Sequence, residues 1–214
     1  MVEVLVGLAI AAVAGVIVGA IESLLELWGD SHTMPEHMQA ELSEHDEGMV
    51  LETKLVIEDS FGDSVVETLR NASNKERVRL MAEFAEELVK RYGLDIDVDI
   101  TVSRIENCGQ YNWQKRKAEF NIVALMLDGN HEHFEYCVRE TLDTIIHELR
   151  HAVQHKAIRD EGFWNVEEER RVRWAENMMK GNYIRPEVNF RAYCSQPIEA
   201  DAATFAARVM EGVR

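Results

Sequence analysis

The sequence predicts an α+β fold: a small antiparallel or mixed sheet packed on one long helix, plus an N-terminal hydrophobic helix. Three patterns predict it. Apolar residues recur at helical spacing through "DSVVETLRNASNKERVRLMAEFAEELVKRYG". Strict alternation of apolar and polar residues follows in "LDIDVDITVSRI". A second helical pattern, "EYCVRETLDTIIHELRHAVQHKAI", then runs for more than six turns.

Taken in order, the chain begins with an apolar run. Residues 4–21, "VLVGLAIAAVAGVIVGAI", carry no charge, and as a helix would be about 27 Å long, close to the thickness of a bilayer core. The start lacks a basic segment and no small-residue cleavage site follows, so the run reads as a single-pass anchor and not as a removed signal. Gly7, Ala11, Gly15 and Gly19 recur every four residues, a stripe along which a second copy could pack in lipid. The alternative for the same residues is a buried helix of a soluble cytoplasmic protein. Residues 1–29 are therefore assigned to this helix, 30–56 to an acidic linker and 57–214 to the folded domain. The first basic residue is Lys54, which leaves the positive-inside rule nothing to act on next to the run; the soluble part is expected in the cytoplasm.

Within the domain, Val78, Leu80, Met81, Phe84, Ala85 and Leu88 fall largely on one helical face, and Gly93 stands where a helix C-terminal glycine belongs. "GQYNWQKRKAEFNIVALML" reads as a hairpin with a polar turn around Gln114 to Lys117 and "AEFNIVAL" as its return arm. In the long helix, Leu142, Ile145 or Ile146, Leu149 and Val153 mark the core stripe. A charged helix around "NVEEERRVRWAENMMK" follows, and a last helix starts at Pro197.

Composition narrows the function. A net charge of −16 over 214 residues argues against a phosphate-neutralising surface, so no nucleic-acid partner is expected. Three cysteines, Cys108, Cys137 and Cys194, are odd in number and form no CxxC pair, which fits thiols in a reducing compartment.

The chemistry concentrates in "TIIHELRHAVQH". His147 and His151 lie one helical turn apart and can offer two imidazole nitrogens to one metal ion. Glu148 is displaced by about 100° around the helix, where a carboxylate reaches a water on that ion without ligating it. Zinc lowers the pKa of such a water, and Glu148 is the candidate catalytic base. His155 is eight residues, about 12 Å of helix, from His147, too far to share one coordination sphere; it is expected outside the first ligands, as is Asp143, one turn before His147. The third ligand is expected from the last helix, where Glu199 falls in the first turn after Pro197. Asp201 is two residues on, around the other side, and reads as a helix-start acid. Tyr183 and Tyr193 are candidates for stabilising an oxyanion.

"HELRHAVQH" followed by "EADAATFAA" resembles the ImmA/IrrE family of zinc metallopeptidases, with a HExxHxxxH helix and a later Glu-Ala-(Asn/Asp) helix ending in Phe-Ala. The resemblance covers roughly Leu94 to the C-terminus. It implies a minimal gluzincin-like (zincin-like) domain, zinc held by His147, His151 and Glu199, Glu148 as base, and a protein or peptide substrate. Arg150 stands where that family commonly has Gly, and the stretch between His151 and Glu199 is longer than usual. Two readings follow: a zinc-dependent, membrane-tethered endopeptidase, or a catalytically silent scaffold in which zinc holds helices together and function lies in membrane or partner binding.

Overall fold

The computed structural model describes residues 40–102, 108–179 and 181–213. The apolar run 4–21, its glycine stripe and the linker residues up to 39 lie outside the described residues. Among the described residues, no helix is long and apolar enough to cross a membrane.

Helix α1 (Glu44–Phe61) begins inside the segment read as linker. Ser43 and Asp46 cap it reciprocally: the Ser43 hydroxyl accepts from the Asp46 N–H at 3.1 Å, and the Asp46 carboxylate accepts from the Ser43 N–H at 2.9 Å. Its inward face mixes Val50, Val56, Ile57 and Phe61 with the polar Asp46 and Thr53, all buried. Two polar residues on the buried stripe dilute the apolar period, which is why the segment reads as linker. Helix α2 (Val65–Asn71) and helix α3 (Asn74–Arg91) each start at a serine cap, Ser64 and Ser73. Met81, Phe84, Ala85 and Leu88 of α3 are fully buried, while Val78 and Leu80 sit at the margin of the core. Gly93 ends the helix in the left-handed conformation, φ 63°, and the Leu94 N–H returns to the Val89 carbonyl at 2.9 Å.

Three short strands follow: β1 (Asp97–Thr101), β2 (Gly109–Asn112) and β3 (Lys117–Asn121). β2 and β3 form the expected antiparallel hairpin, but β1 pairs with β3 in parallel, giving the order β1-β3-β2. The sheet is thus mixed, with β3 in the middle and β1 and β2, the outgoing arm of the hairpin, at its two edges. The return arm is shorter than its apolar run suggests. β3 stops at Asn121, and Val123–Met126 turn into a 3-10 helix that drives Leu125 into the core.

Helix α4 (Phe134–Arg159) is the central element. β2 and β3 pack on one side of it, and α7 (Pro197–Met210) lies along another. Leu142, Ile145, Ile146, Leu149 and Val153 are fully buried, each large aliphatic contributing about 1.5–3 kcal/mol of transfer free energy. Helix α5 (Glu168–Met178) and the one-turn helix α6 (Phe190–Cys194) connect α4 to α7. Pro197 occupies the first turn of α7, where a missing N–H costs nothing.

Candidate metal centre

One turn of α4 and the first turn of α7 meet at three side chains. The His147 and His151 rings sit edge to face with centroids 4.7 Å apart. Glu199, 3 % exposed, brings its Oε2 to 3.4 Å from His147 Nε2 and 3.5 Å from His151 Nε2. Both distances exceed the 2.7–2.9 Å of a charge-assisted hydrogen bond. They match the edge of a tetrahedron whose centre lies about 2.0–2.1 Å from each donor, roughly 3.3–3.4 Å. Ligand atoms of the three residues all fall within 4.8 Å of one another.

The carboxylate itself shows how it is divided. Glu199 Oε1 accepts from the Tyr183 hydroxyl at 2.9 Å, whereas Oε2 is buried with no hydrogen-bond partner. A buried carboxylate oxygen without a partner is costly unless something else neutralises it. Two imidazole nitrogens and one unsatisfied carboxylate oxygen, converging on one point, are a borderline-soft donor set that fits zinc. Burial alone would raise the Glu199 carboxyl, but His151 and His147 beside it hold it well below the usual range. Burial works to lower His151, and Glu199 outweighs it, so that His151 is pushed up to about 9. His151 therefore holds a proton at neutral pH that a cation would displace.

Glu148 lies beside this triangle. Its Oε2 accepts from the backbone N–H of Tyr111 on β2 at 2.8 Å. That bond is possible because Gly109 lets the edge strand lie against α4: a Cβ there would meet Thr144 Cγ2 at 2.6 Å and Phe120 Cδ1 at 3.1 Å. Tyr183 and Tyr193 stand across the site with ring centroids 6.2 Å apart. Burial, then the nearby Glu199, pushes both phenols well above their ordinary pKa. Both tyrosines thus attend the Glu199 carboxylate. His155 is turned to the edge strand, its Nδ1 3.1 Å from the Tyr111 hydroxyl and its ring 5.9 Å from that of Trp113. Asp143 is half-buried one turn before His147.

Behind the triangle is a cluster that the sequence reading missed. Arg150 and Asp201 are essentially fully buried and paired, Nε to Oδ2 at 2.8 Å and Nη2 to Oδ1 at 3.1 Å. Asp46 reaches the same arginine at 2.8 Å, and Arg170 joins both acids, bonding Asp46 Oδ2 at 2.6 Å and also Asp201. Phe205 lies under the Arg150 guanidinium, 4.7 Å from ring centroid to Cζ. Asp201 is thus an internal counter-ion and not a surface acid at a helix start. Arg150 stands four residues after Ile146 and three before Val153, on the buried stripe, and that placement was the available sign of a buried charge in need of acids.

No protein-family model, curated protein or solved structure matches the chain.

Proposed function

We propose that the protein is a zinc-dependent metallopeptidase of the HExxH type, akin to the ImmA/IrrE enzymes that its motifs resemble. The observation that carries this reading is the unpartnered Glu199 Oε2 set between two imidazole nitrogens, with Glu148 alongside. His147, His151 and Glu199 would hold the ion. Zinc, when bound, supplies a Lewis acid and makes water a nucleophile near neutral pH.

The chain's own residues account for the rest. Glu148 is anchored through Oε2 to the Tyr111 N–H, so Oε1 is the oxygen that takes the proton from the attacking water. The same carboxyl returns it to the amine nitrogen of the departing peptide half. Edge strand β2 offers its free side to an extended segment of a protein substrate. Tyr183, whose hydroxyl donates to Glu199 Oε1, orients that carboxylate, and Tyr193 beside it is the candidate hydroxyl for the developing oxyanion. Residues 4–21 would tether the domain to a membrane with the catalytic part in the cytoplasm.

The test is metal content by mass spectrometry on the full chain together with His147→Ala, Glu199→Ala and Glu148→Gln. Stoichiometric zinc that survives Glu148→Gln and falls in the other two supports the ligand set. Hydrolysis of unfolded protein substrates that disappears in Glu148→Gln supports the enzyme over the silent scaffold. A wild-type chain without metal ends the peptidase reading.

A further inference from the structure

We propose that Gln154 sets which nitrogen of His151 is offered to the centre, and that Asp201, held by its two arginines, sets Gln154. The inference rests on His151 being a metal ligand, but its first step is checked without metal.

Gln154 is fully buried, and its side chain touches three groups. The amide nitrogen donates to the Ile198 carbonyl at 2.9 Å and to Asp201 Oδ2 at 2.7 Å. Both of those partners are acceptors alone, because Asp201 is ionised between Arg150 and Arg170. Turning the amide over would press its oxygen against two oxygens with no hydrogen between them. The NH2 group must therefore face α7, and the amide oxygen must face α4. That oxygen lies 2.8 Å from His151 Nδ1. An amide oxygen carries no hydrogen, so Nδ1 must donate one. A neutral imidazole protonated at Nδ1 keeps its lone pair on Nε2, the nitrogen 3.5 Å from Glu199 Oε2.

Each link follows from the one behind it. Arg150 and Arg170 keep Asp201 a pure acceptor, Asp201 orients the amide, and the amide decides the ring's tautomer. Without the Asp201 carboxylate only the Ile198 carbonyl opposes a turn of the amide. Its NH2 would then face Nδ1, favour the proton on Nε2 and block the nitrogen directed at the centre. Gln154 is thus a positioning residue acting through His151, and Arg150 acts two steps further back.

The experiment uses the full chain with 15N-labelled histidine. Long-range proton–nitrogen spectra, taken metal-free at a pH where the ring is neutral, report the tautomer; zinc alone, in competition with a chromogenic chelator, reports affinity. In the wild type His151 is expected to carry its proton on Nδ1. Gln154→Met should give mixed tautomers and bind zinc about 10–100-fold more weakly at unchanged stoichiometry. Asp201→Asn should do the same where it folds, and Gln154→Met, which leaves all four charges in place, decides the matter if it does not. Wild-type His151 protonated on Nε2, or Gln154→Met with wild-type tautomer and affinity, overturns the proposal. A wild type that shows the Nδ1 proton but binds no zinc leaves the tautomer relay standing and removes the metal reading instead.

Discussion

The N–H of Tyr111 and the carboxylate of Glu148 meet at 2.8 Å, joining an edge strand to the helix of His147 and His151 at the residue proposed as the base. One carboxylate oxygen is thereby held by the strand, and in the proposed mechanism the other takes the proton. Glu148→Gln keeps a side chain of the same shape that can still accept from Tyr111. Its expected effect is full zinc content with peptide hydrolysis reduced on the order of 10²–10⁴-fold, the range of a lost general base. Single-turnover assays beside metal analysis check this; retained hydrolysis would remove Glu148 from the mechanism.

Gly109→Ala tests the strand's approach to the helix. The added methyl would fall 2.6 Å from Thr144 Cγ2, 3.1 Å from Phe120 Cδ1 and 3.4 Å from Glu148 Cγ. Overpacking of this kind costs about 1–3 kcal/mol. Urea unfolding should show that loss, and the activity of the folded fraction should fall as β2 lifts away from Glu148. Unchanged stability would show that β2 is not pinned to α4 at this point.

Arg150→Met removes the positive centre of the buried cluster and leaves Asp46 and Asp201 sharing Arg170. Breaking a buried pair from one side typically costs about 3–5 kcal/mol. The expected result is a large drop in the denaturant midpoint, visible in the metal-free protein. Had Arg150 been half-exposed, the same change would be nearly silent.

Acid should act through the same cluster. Burial would raise the Asp46 carboxyl, but Arg150 and Arg170 hold it well below the ordinary carboxylate range, and Asp201 is lowered likewise by Arg150. Groups depressed in the folded state bind fewer protons there than in the unfolded chain. Their contribution is therefore complete above the unfolded value of about 3.9 and declines as pH falls below it. Thermal melts between pH 6 and pH 2 should show the midpoint falling through the acid range, with a shallower slope in Asp46→Asn. Equal slopes in the two proteins would contradict the assignment.

Local relationships were legible in the sequence and distant ones were not. His147 and His151 are one turn apart on a strongly patterned helix, so helical geometry alone brings them together. Glu199 was reachable because Pro197 marks where its helix begins. The parallel pairing of β1 with β3 was hidden, since each strand alternates in the same way whichever neighbour it takes, and so β3 became the central strand between β1 and β2. Asp46 and Trp164 are 118 residues apart and share a hydrogen bond, and no local pattern announces such a contact. Gln154 did carry a sign: three residues after His151, it sits within side-chain reach on the same helix.

The Arg150 cluster also bears on how the chain comes off the ribosome. Asp46 is made early, its bonding partner Arg170 comes 124 residues later, and Asp201 stands 31 residues beyond that. At translation speeds of about 5–20 residues per second, the first carboxylate waits several seconds for its counter-charges. The nascent chain cannot close its interior in that interval, and Glu199 is not yet present to join His147 and His151. Closure of the interior and completion of the His147–His151–Glu199 group therefore both wait on the last helix, near the end of synthesis. A half-made chain therefore carries the two histidines without the third donor.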